Sequence, residues 1–188
     1  MKKKLLLNLI LCIFPIACYA QNDVKRFEFE VSVGATISLG HYVADNGIGP
    51  AIALEPRYNF DHSPFDIGWE IYLGTAIRHY NGREISNRTF STMCFGDYNF
   101  NRGKNISPFL GLGIGTAQCE EIEGSDEINS YGSNQHLIIS PRIGVELGRH
   151  LRITGYAKFS QKWYNLAGIS IGYAFGGGKV KNTNKNTK

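Results

Sequence analysis

The sequence predicts an all-β protein, an eight-stranded antiparallel up-and-down transmembrane β-barrel, on three observations. Apolar residues recur at every second position in eight separate stretches between Phe27 and Phe175, the period of a strand with one apolar face. The first stretch runs from Phe27 to Leu39; about ten residues at about 3.3 Å each, tilted about 40°, cross the ~25 Å apolar band of an outer membrane, whereas ordinary globular strands are about half as long. The connections alternate between short and long, as in up-and-down membrane barrels. The composition agrees. At 188 residues the chain has the length of one domain, and 22 glycines, 12% aromatic and 19% charged residues suit β structure better than a helical bundle or a disordered polyelectrolyte.

Residues 1–20 read as a secretory signal peptide: Lys2, Lys3 and Lys4, an apolar stretch from Leu5 to about Pro15, then small residues up to Ala20. Asn8 and Pro15 interrupt a stretch already short of the ~20 apolar residues of a spanning helix, which argues against an anchor. Lipidation of Cys18 is a poorer reading, because Pro15 and Tyr19 fit a lipobox badly. Residues 21–175 form the barrel, and residues 176–188 a disordered basic tail. The formal charge of +4 sits at the two ends: removing Lys2, Lys3, Lys4, Lys179, Lys181, Lys185 and Lys188 leaves −3 for residues 5–178, since 4 − 7 = −3. No basic patch on the folded part supports nucleic-acid binding.

The first strand sets Phe27, Phe29, Val31, Val33, Ala35, Ile37 and Leu39 against Glu28, Glu30, Ser32, Gly34, Thr36 and Ser38. After a connection from Gly40 to Pro50, the second opposes Ile52, Leu54, Tyr58 and Phe60 to Ala51, Ala53, Glu55, Arg57 and Asn59, and ends at the tight Asp61–Pro64 turn. The third has Phe65, Ile67, Trp69, Ile71, Leu73 and Ile77 against Asp66, Gly68, Glu70, Tyr72, Gly74 and Arg78, followed by a loop from Asn81 to Asn87. The fourth is weaker, roughly Arg88 to Phe100, with Phe90, Tyr98 and Phe100 opposite Asp97 and Asn99, which sends Met93 and Phe95 inward. Beyond the Asn101–Asn105 turn, Leu110, Leu112 and Ile114 alternate with Gly111, Gly113 and Gly115, and the longest loop runs from Cys119 to Ser133. The sixth strand sets Leu137, Ile139, Ile143, Val145 and Leu147 against Ser140, Arg142, Gly144 and Glu146. A corner at Arg149-His150 leads to the seventh, with Leu151, Ile153, Ala157 and Phe159 against Arg152, Thr154, Tyr156 and Lys158. A short connection near Trp163 to Asn165 precedes the last, Ala167, Ile169, Ile171, Tyr173 and Phe175 against Gly168, Ser170, Gly172 and Ala174.

Alternation alone does not decide whether lipid lies outside or a ligand inside, as in a secreted lipocalin-like binder. The polar face decides it. Glu28, Glu30, Glu55, Asp66, Glu70, Asp97 and Glu146 oppose Arg57, Arg78, Arg142, Arg152 and Lys158, a near-balanced set that neutralises itself in a narrow lumen, where a lipocalin cavity would be apolar. Phe27, Tyr58, Phe60, Phe65, Tyr98, Phe100, Tyr173 and Phe175 gather beside the short turns as an interfacial girdle. Both termini then fall at the short-turn, periplasmic end. Eight strands leave a lumen filled by side chains, which excludes a general diffusion pore.

From Phe27 to Phe175, and above all in DYNFNRGKNISPFLGLGIG (Asp97–Gly115) and AGISIGYAF (Ala167–Phe175), the chain resembles the small eight-stranded outer membrane protein beta-barrel domain family, similar to OmpX and the transmembrane domain of OmpA. The resemblance implies a location in the outer membrane of a Gram-negative cell, and recognition of the last strand by the barrel-assembly machinery with Phe175 as its terminal signal. The tail after Phe175 departs from that pattern and is too short for the peptidoglycan-binding domain of larger members.

Glu120, Glu121, Glu123, Asp126 and Glu127 make the loop 119–133 acidic. Clustered carboxylates can collect a hard divalent cation, but this spacing is no EF-hand and reads first as a solvated loop, with a surface ligand as its other use. The chain is also similar in size to lipid A deacylases, whose motif has His and Ser two apart on a late strand. Lys158-Phe159-Ser160 stands there instead, without the base that serine hydrolysis requires. Folding about the Asn101–Asn105 turn places Cys94 opposite a residue near 112, about seven positions or ~23 Å from Cys119, beyond disulfide reach. The expectation is a monomer in outer-membrane lipid, with neither cofactor nor catalytic or metal residues, serving structure or surface interaction through its loops. A lipid A-modifying barrel enzyme or a secreted ligand-binding barrel is the alternative.

Overall fold

The computed structural model describes residues 24–39, 47–80, 83–123, 135–160 and 165–176; the expected signal peptide and most of the expected basic tail lie outside them. Eight strands follow in order: β1 (Phe27–Ser38), β2 (Ile48–Asn59), β3 (Phe65–Tyr80), β4 (Arg83–Asn99), β5 (Ile106–Glu123), β6 (His136–Leu147), β7 (Leu151–Ser160) and β8 (Leu166–Phe175). Each pairs antiparallel with its chain neighbour, and β1 with β8 from Phe29↔Phe175 to Ser38↔Leu166, so the sheet closes. Closure removes the unpaired edges that an open sheet exposes.

The alternation in sequence becomes inside and outside. On β1, Glu30, Ser32, Thr36 and Ser38 are buried while Phe27 and Val33 are 73% and 61% exposed. β2 buries Ala51, Ala53, Glu55, Arg57 and Asn59 and exposes Ile52 and Leu54. Met93 and Phe95 of β4 do point inward, at 1% and 2% exposure. Among the described residues the large exposed side chains are thus mostly apolar and the buried ones mostly polar or charged, the reverse of a water-soluble protein.

Three boundaries differ from expectation, all toward longer strands at the long-loop end. The loop expected at Asn81–Asn87 is instead a hairpin, with β3 and β4 pairing up to Tyr80↔Arg83. β2 begins at Ile48, inside the connection expected to reach Pro50, and β5 continues to Glu123, taking Cys119 and Glu120 into the sheet. Backbone pairing extends past the apolar alternation because ladder hydrogen bonds do not require one face to be buried. Stretches such as Glu84-Ile85-Ser86-Asn87-Arg88 carry no period-two signal and read as loop.

At the other end the turns are tight. His62, Asn101, Arg149 and Gly148 adopt positive φ of 52°, 58°, 67° and 58°, the left-handed conformation that compact hairpin loops require. Arg26 donates to Asp61 through Nε at 3.0 Å and through a second, shorter contact, which fastens the segment before β1 onto the β2–β3 turn. That exposed guanidinium holds the Asp61 carboxyl below its ordinary value. Outside the turns, Phe27–Tyr58, Phe65–Tyr98 and Tyr173–Phe175 meet edge-on at 5.1, 5.1 and 4.9 Å, and form the expected girdle.

Lumenal glycines serve a spatial purpose. A Cβ on Gly144 would come within 2.2 Å of the Ile153 carbonyl oxygen and 2.6 Å of the Phe109 ring, and the first of these is backbone. Gly144→Ala is expected to destabilise the barrel by about 1–3 kcal/mol through overpacking, measured as a lower urea midpoint.

Candidate functional site

Among the described residues charged side chains converge in the lumen, where they are stacked in layers. Nearest the short turns, Arg102 reaches back from the β4–β5 turn. Its Nη1 donates to the Ser63 and Phe65 carbonyls at 3.0 and 2.8 Å, and its Nη2 to Asn59 Oδ1 and, at 3.3 Å, Asp66 Oδ2. Asn99 Nδ2 also donates to Asp66 at 2.6 Å. Burial pushes the Arg102 pKa down, opposed by Asp66 and Glu28. An arginine is still charged under these conditions.

Above this layer, Arg57 Nη2 donates to Glu30 at 2.5 Å and its Nη1 lies 3.8 Å from Glu28. Arg152 lies between Glu30, 3.4 Å away, and Asp97, 2.9 Å away, with its guanidinium 3.8 Å from the centre of the Phe109 ring. Arg142 meets Glu55 at 2.7 Å, Asp97 at 3.3 Å and Glu70 at 3.9 Å, and stacks 4.1 Å over Phe95. Lys158 donates to Glu70 and, at 3.2 Å, to Ser91 Oγ, with its ammonium 4.1 Å from the Tyr72 ring centre. The ionic groups are therefore shared among carboxylates contributed by β1, β2, β3 and β4 and bases contributed mainly by β6 and β7. Each of these charges has a partner, and two of the four guanidinium groups, Arg142 and Arg152, are covered by an aromatic ring.

Of the expected lumenal charges, six of the seven acids are buried, and Glu146 is partly so, 4.0 Å from Arg152. Arg57, Arg142, Arg152 and Lys158 point inward as expected, while the side chain of Arg78 lies outside the described residues. Arg102 went unanticipated: a basic residue in a tight polar turn carries no periodic signal that separates it from the neighbouring Lys104. The upper lumen is a second departure. Met93, Ala117, Cys119 and Ile138 form an apolar cluster there, next to Ala51, Ala53, Tyr72 and Leu166. It is filled, and lumen voids lined by Tyr72 and Tyr156 and by Thr36 and Thr89 hold only about 10 Å³ each, one water's worth at most.

Lys158, which stands in the place of the deacylase histidine, is buried in the lumen at 2% exposure. Its ammonium is held by Glu70, so it offers no lone pair to Ser91, and Ser91 is 0% exposed. In the acidic loop, Glu120 lies on the outer wall of β5, whereas Asp126 and Glu127 are outside the described residues. The two cysteines among the described residues are free, Cys94 exposed and Cys119 buried. Cys94 pairs with Ile114, not with a residue near 112, because the β4–β5 ladder is offset by two from the simple turn count. Five residues, about 17 Å, still separate it from Cys119 along β5. A membrane-permeant maleimide is expected to label Cys94 in the folded barrel and Cys119 only after unfolding, read as one and then two mass additions.

No family model matches the chain, and no curated protein matches its sequence. Solved structures do. The fold is that of the eight-stranded outer-membrane barrels. Neisserial surface protein A superposes with a TM-score of 0.63 at 11% identity over 81% of this chain and 98% of that one. The attachment invasion locus protein Ail of Yersinia pestis, in complex with the heparin analogue sucrose octasulfate, gives 0.52 at 14% identity, over 80% and 99%.

Proposed function

We propose that this chain is an outer-membrane barrel with periplasmic termini, a closed lumen and no chemistry of its own, which presents its long-loop end to partners outside the cell. The observation that carries the reading is the inverted burial: the paired ions of Arg142, Arg152 and Lys158 inside, and Val33, Leu112, Ile114, Ile143 and Ile169 more than half exposed outside. Only a lipid solvent makes such a wall favourable. The β3, β4 and β5 strands, of 16, 17 and 18 residues against 10–12 elsewhere, favour the surface role. β5 pairs with β6 only as far as Ala117↔His136 but with β4 on to Ile85↔Glu123. β4 and β5 thus stand about 15–20 Å above the end of β6, while β3 passes its last partner on β2 by three residues, about 10 Å. In this reading residues 1–20 are removed on export and the barrel works as a monomer. The assembly machinery engages β8 through Phe175, and residues 176–188 trail into the periplasm.

The test is electrophoresis of the membrane fraction without and with boiling. The expected result is a band in the outer-membrane fraction whose mobility changes on boiling. Recovery as a soluble periplasmic protein with no such change overturns the reading in favour of a secreted ligand-binding barrel.

A further inference from the structure

The aromatic girdle at the short-turn end has a gap. The residue at the turn end of the strand is aromatic on β1, β3 and β8 (Phe27, Phe65 and Phe175), and β2 and β4 carry Tyr58 and Tyr98 one residue from theirs. On β5, β6 and β7 it is aliphatic, and the three residues form one ladder row, Ile106↔Leu147↔Leu151. Ile106 and Leu151 are 60% and 40% exposed. Three consecutive strands therefore reach the interface without the ring that anchors the other five.

Just beyond that row, two turns interlock and are cationic. The Gly148 N–H donates to the Asn105 carbonyl at 2.8 Å, and Arg149 Nε to the Gly103 carbonyl at 2.9 Å, which fastens the β6–β7 turn onto the β4–β5 turn. Arg149 holds a φ of 67°, a conformation that glycine or asparagine adopts with less strain, so the position keeps a long cationic side chain against its backbone preference. Its two Nη groups have no acceptor among the described residues. Lys104, next to Gly103, is exposed and reaches only Asn101 Oδ1, at 3.5 Å. No carboxylate stands in either turn, residues 101–105 or 148–150. Arg102 of the same β4–β5 turn is spent on Asp66 in the lumen, and Arg26 beside the β2–β3 turn on Asp61. Lys104 and Arg149 are thus a pair of cations without a counter-charge, set where the girdle is missing.

Toward the middle of the wall, the same sector is shallow. Gly155 of β7, four residues or about 10 Å of climb from Leu151, faces outward by parity with the buried Arg152 and Thr154. Its ladder partners Ile143 and Ile169 are 62% and 56% exposed, and a Cβ on Gly155 would meet nothing closer than 3.8 Å. The two isoleucines flank a trough about one strand spacing, ~4.8 Å, to each side of Gly155, room for one acyl chain.

We propose that Lys104 and Arg149 bind the phosphate of one anionic glycerophospholipid of the phosphatidylglycerol type in the periplasmic leaflet, with an acyl chain running over Leu147 and Leu151 to Gly155. This rests on the membrane reading above, which places the short turns at the level of the headgroups. The unneutralised pair selects the headgroup. A phosphate with an uncharged substituent meets two cations and no like charge, whereas a headgroup that ends in an ammonium brings a third positive charge to a site that has no carboxylate to receive it.

Native mass spectrometry of the mature barrel in detergent, with phosphatidylglycerol or phosphatidylethanolamine added, tests it. The expected result is one retained phosphatidylglycerol, with about tenfold less phosphatidylethanolamine, the size of one charge-assisted contact. Lys104→Gln combined with Arg149→Gln should abolish the preference. Lys25→Gln, which removes an exposed cation of the same rim beside β1, should leave it intact, and the basic tail is present in every variant. Gly155→Trp, which fills the trough, should lower retention of both lipids. Equal retention of the two lipids by the parent, a double variant that discriminates like the parent, a Lys25→Gln variant that loses the preference equally, or unchanged retention in Gly155→Trp overturns the proposal. Each variant must keep the boiling-dependent mobility change; loss of that change in the parent protein refutes the membrane reading instead.

Discussion

Replacing Arg142 with methionine is expected to destabilise the barrel by about 3–5 kcal/mol, the cost of leaving buried charges without their partner. Arg142 is the hub of the lumen, within ion-pair distance of Glu55, Glu70 and Asp97. Methionine keeps much of the length and apolar contact with Phe95 but strands three carboxylates. Asp97 retains Arg152 and Glu70 retains Lys158, whereas Glu55 loses the only ion-pair partner found for it among the described residues. Adding Glu55→Gln to Arg142→Met should therefore recover a large part of the loss, because the residual deficit is a neutral amide and not an ion. The measurement is the urea midpoint of the mobility change for the parent, single and double variants. A single variant as stable as the parent would mean that water reaches this layer and that the lumen is not the dry, paired interior described above.

The second large effect comes from the wall. Leu54, five residues from the end of β2 and 37% exposed, lies about 13 Å up, near the middle of the apolar band. Leu54→Arg should cost about 2–4 kcal/mol, and Ile48→Arg, eleven residues from the same end, about 0–1 kcal/mol. In a water-soluble barrel both substitutions replace an exposed apolar residue by a solvated cation and are nearly neutral. The depth dependence along one strand, read by refolding into phospholipid vesicles, is thus the outcome that a soluble protein does not produce.

The wall was the most legible part of the sequence, because one continuous apolar face imposes strict period two: the faces of β1 and β8 could be assigned residue by residue. Met93 and Phe95 could be placed inward by parity with Asp97 and Asn99 despite their apolar character. Parity failed where nothing apolar marks it, as in the upper β3–β4 hairpin. The charges of the lumen were legible as a balanced set but their partners were not, since Arg142 meets Glu55 across a separation of 87 residues. Arg102 was hidden because a turn residue has no strand parity.

The pairing of Phe29 with Phe175 joins residues 146 apart, since 175 − 29 = 146. The contact that closes the barrel is therefore the one with the greatest entropic cost of loop closure, and it is available only when the chain is complete. Until it forms, β1 and β8 each carry a full row of bare amides and carbonyls, which cost several kcal/mol apiece in hydrocarbon. A seven-stranded intermediate thus has no stable place in the bilayer, and insertion and closure become a single cooperative event. A chain that stops before Leu166 yields no barrel at all, in place of a weaker one.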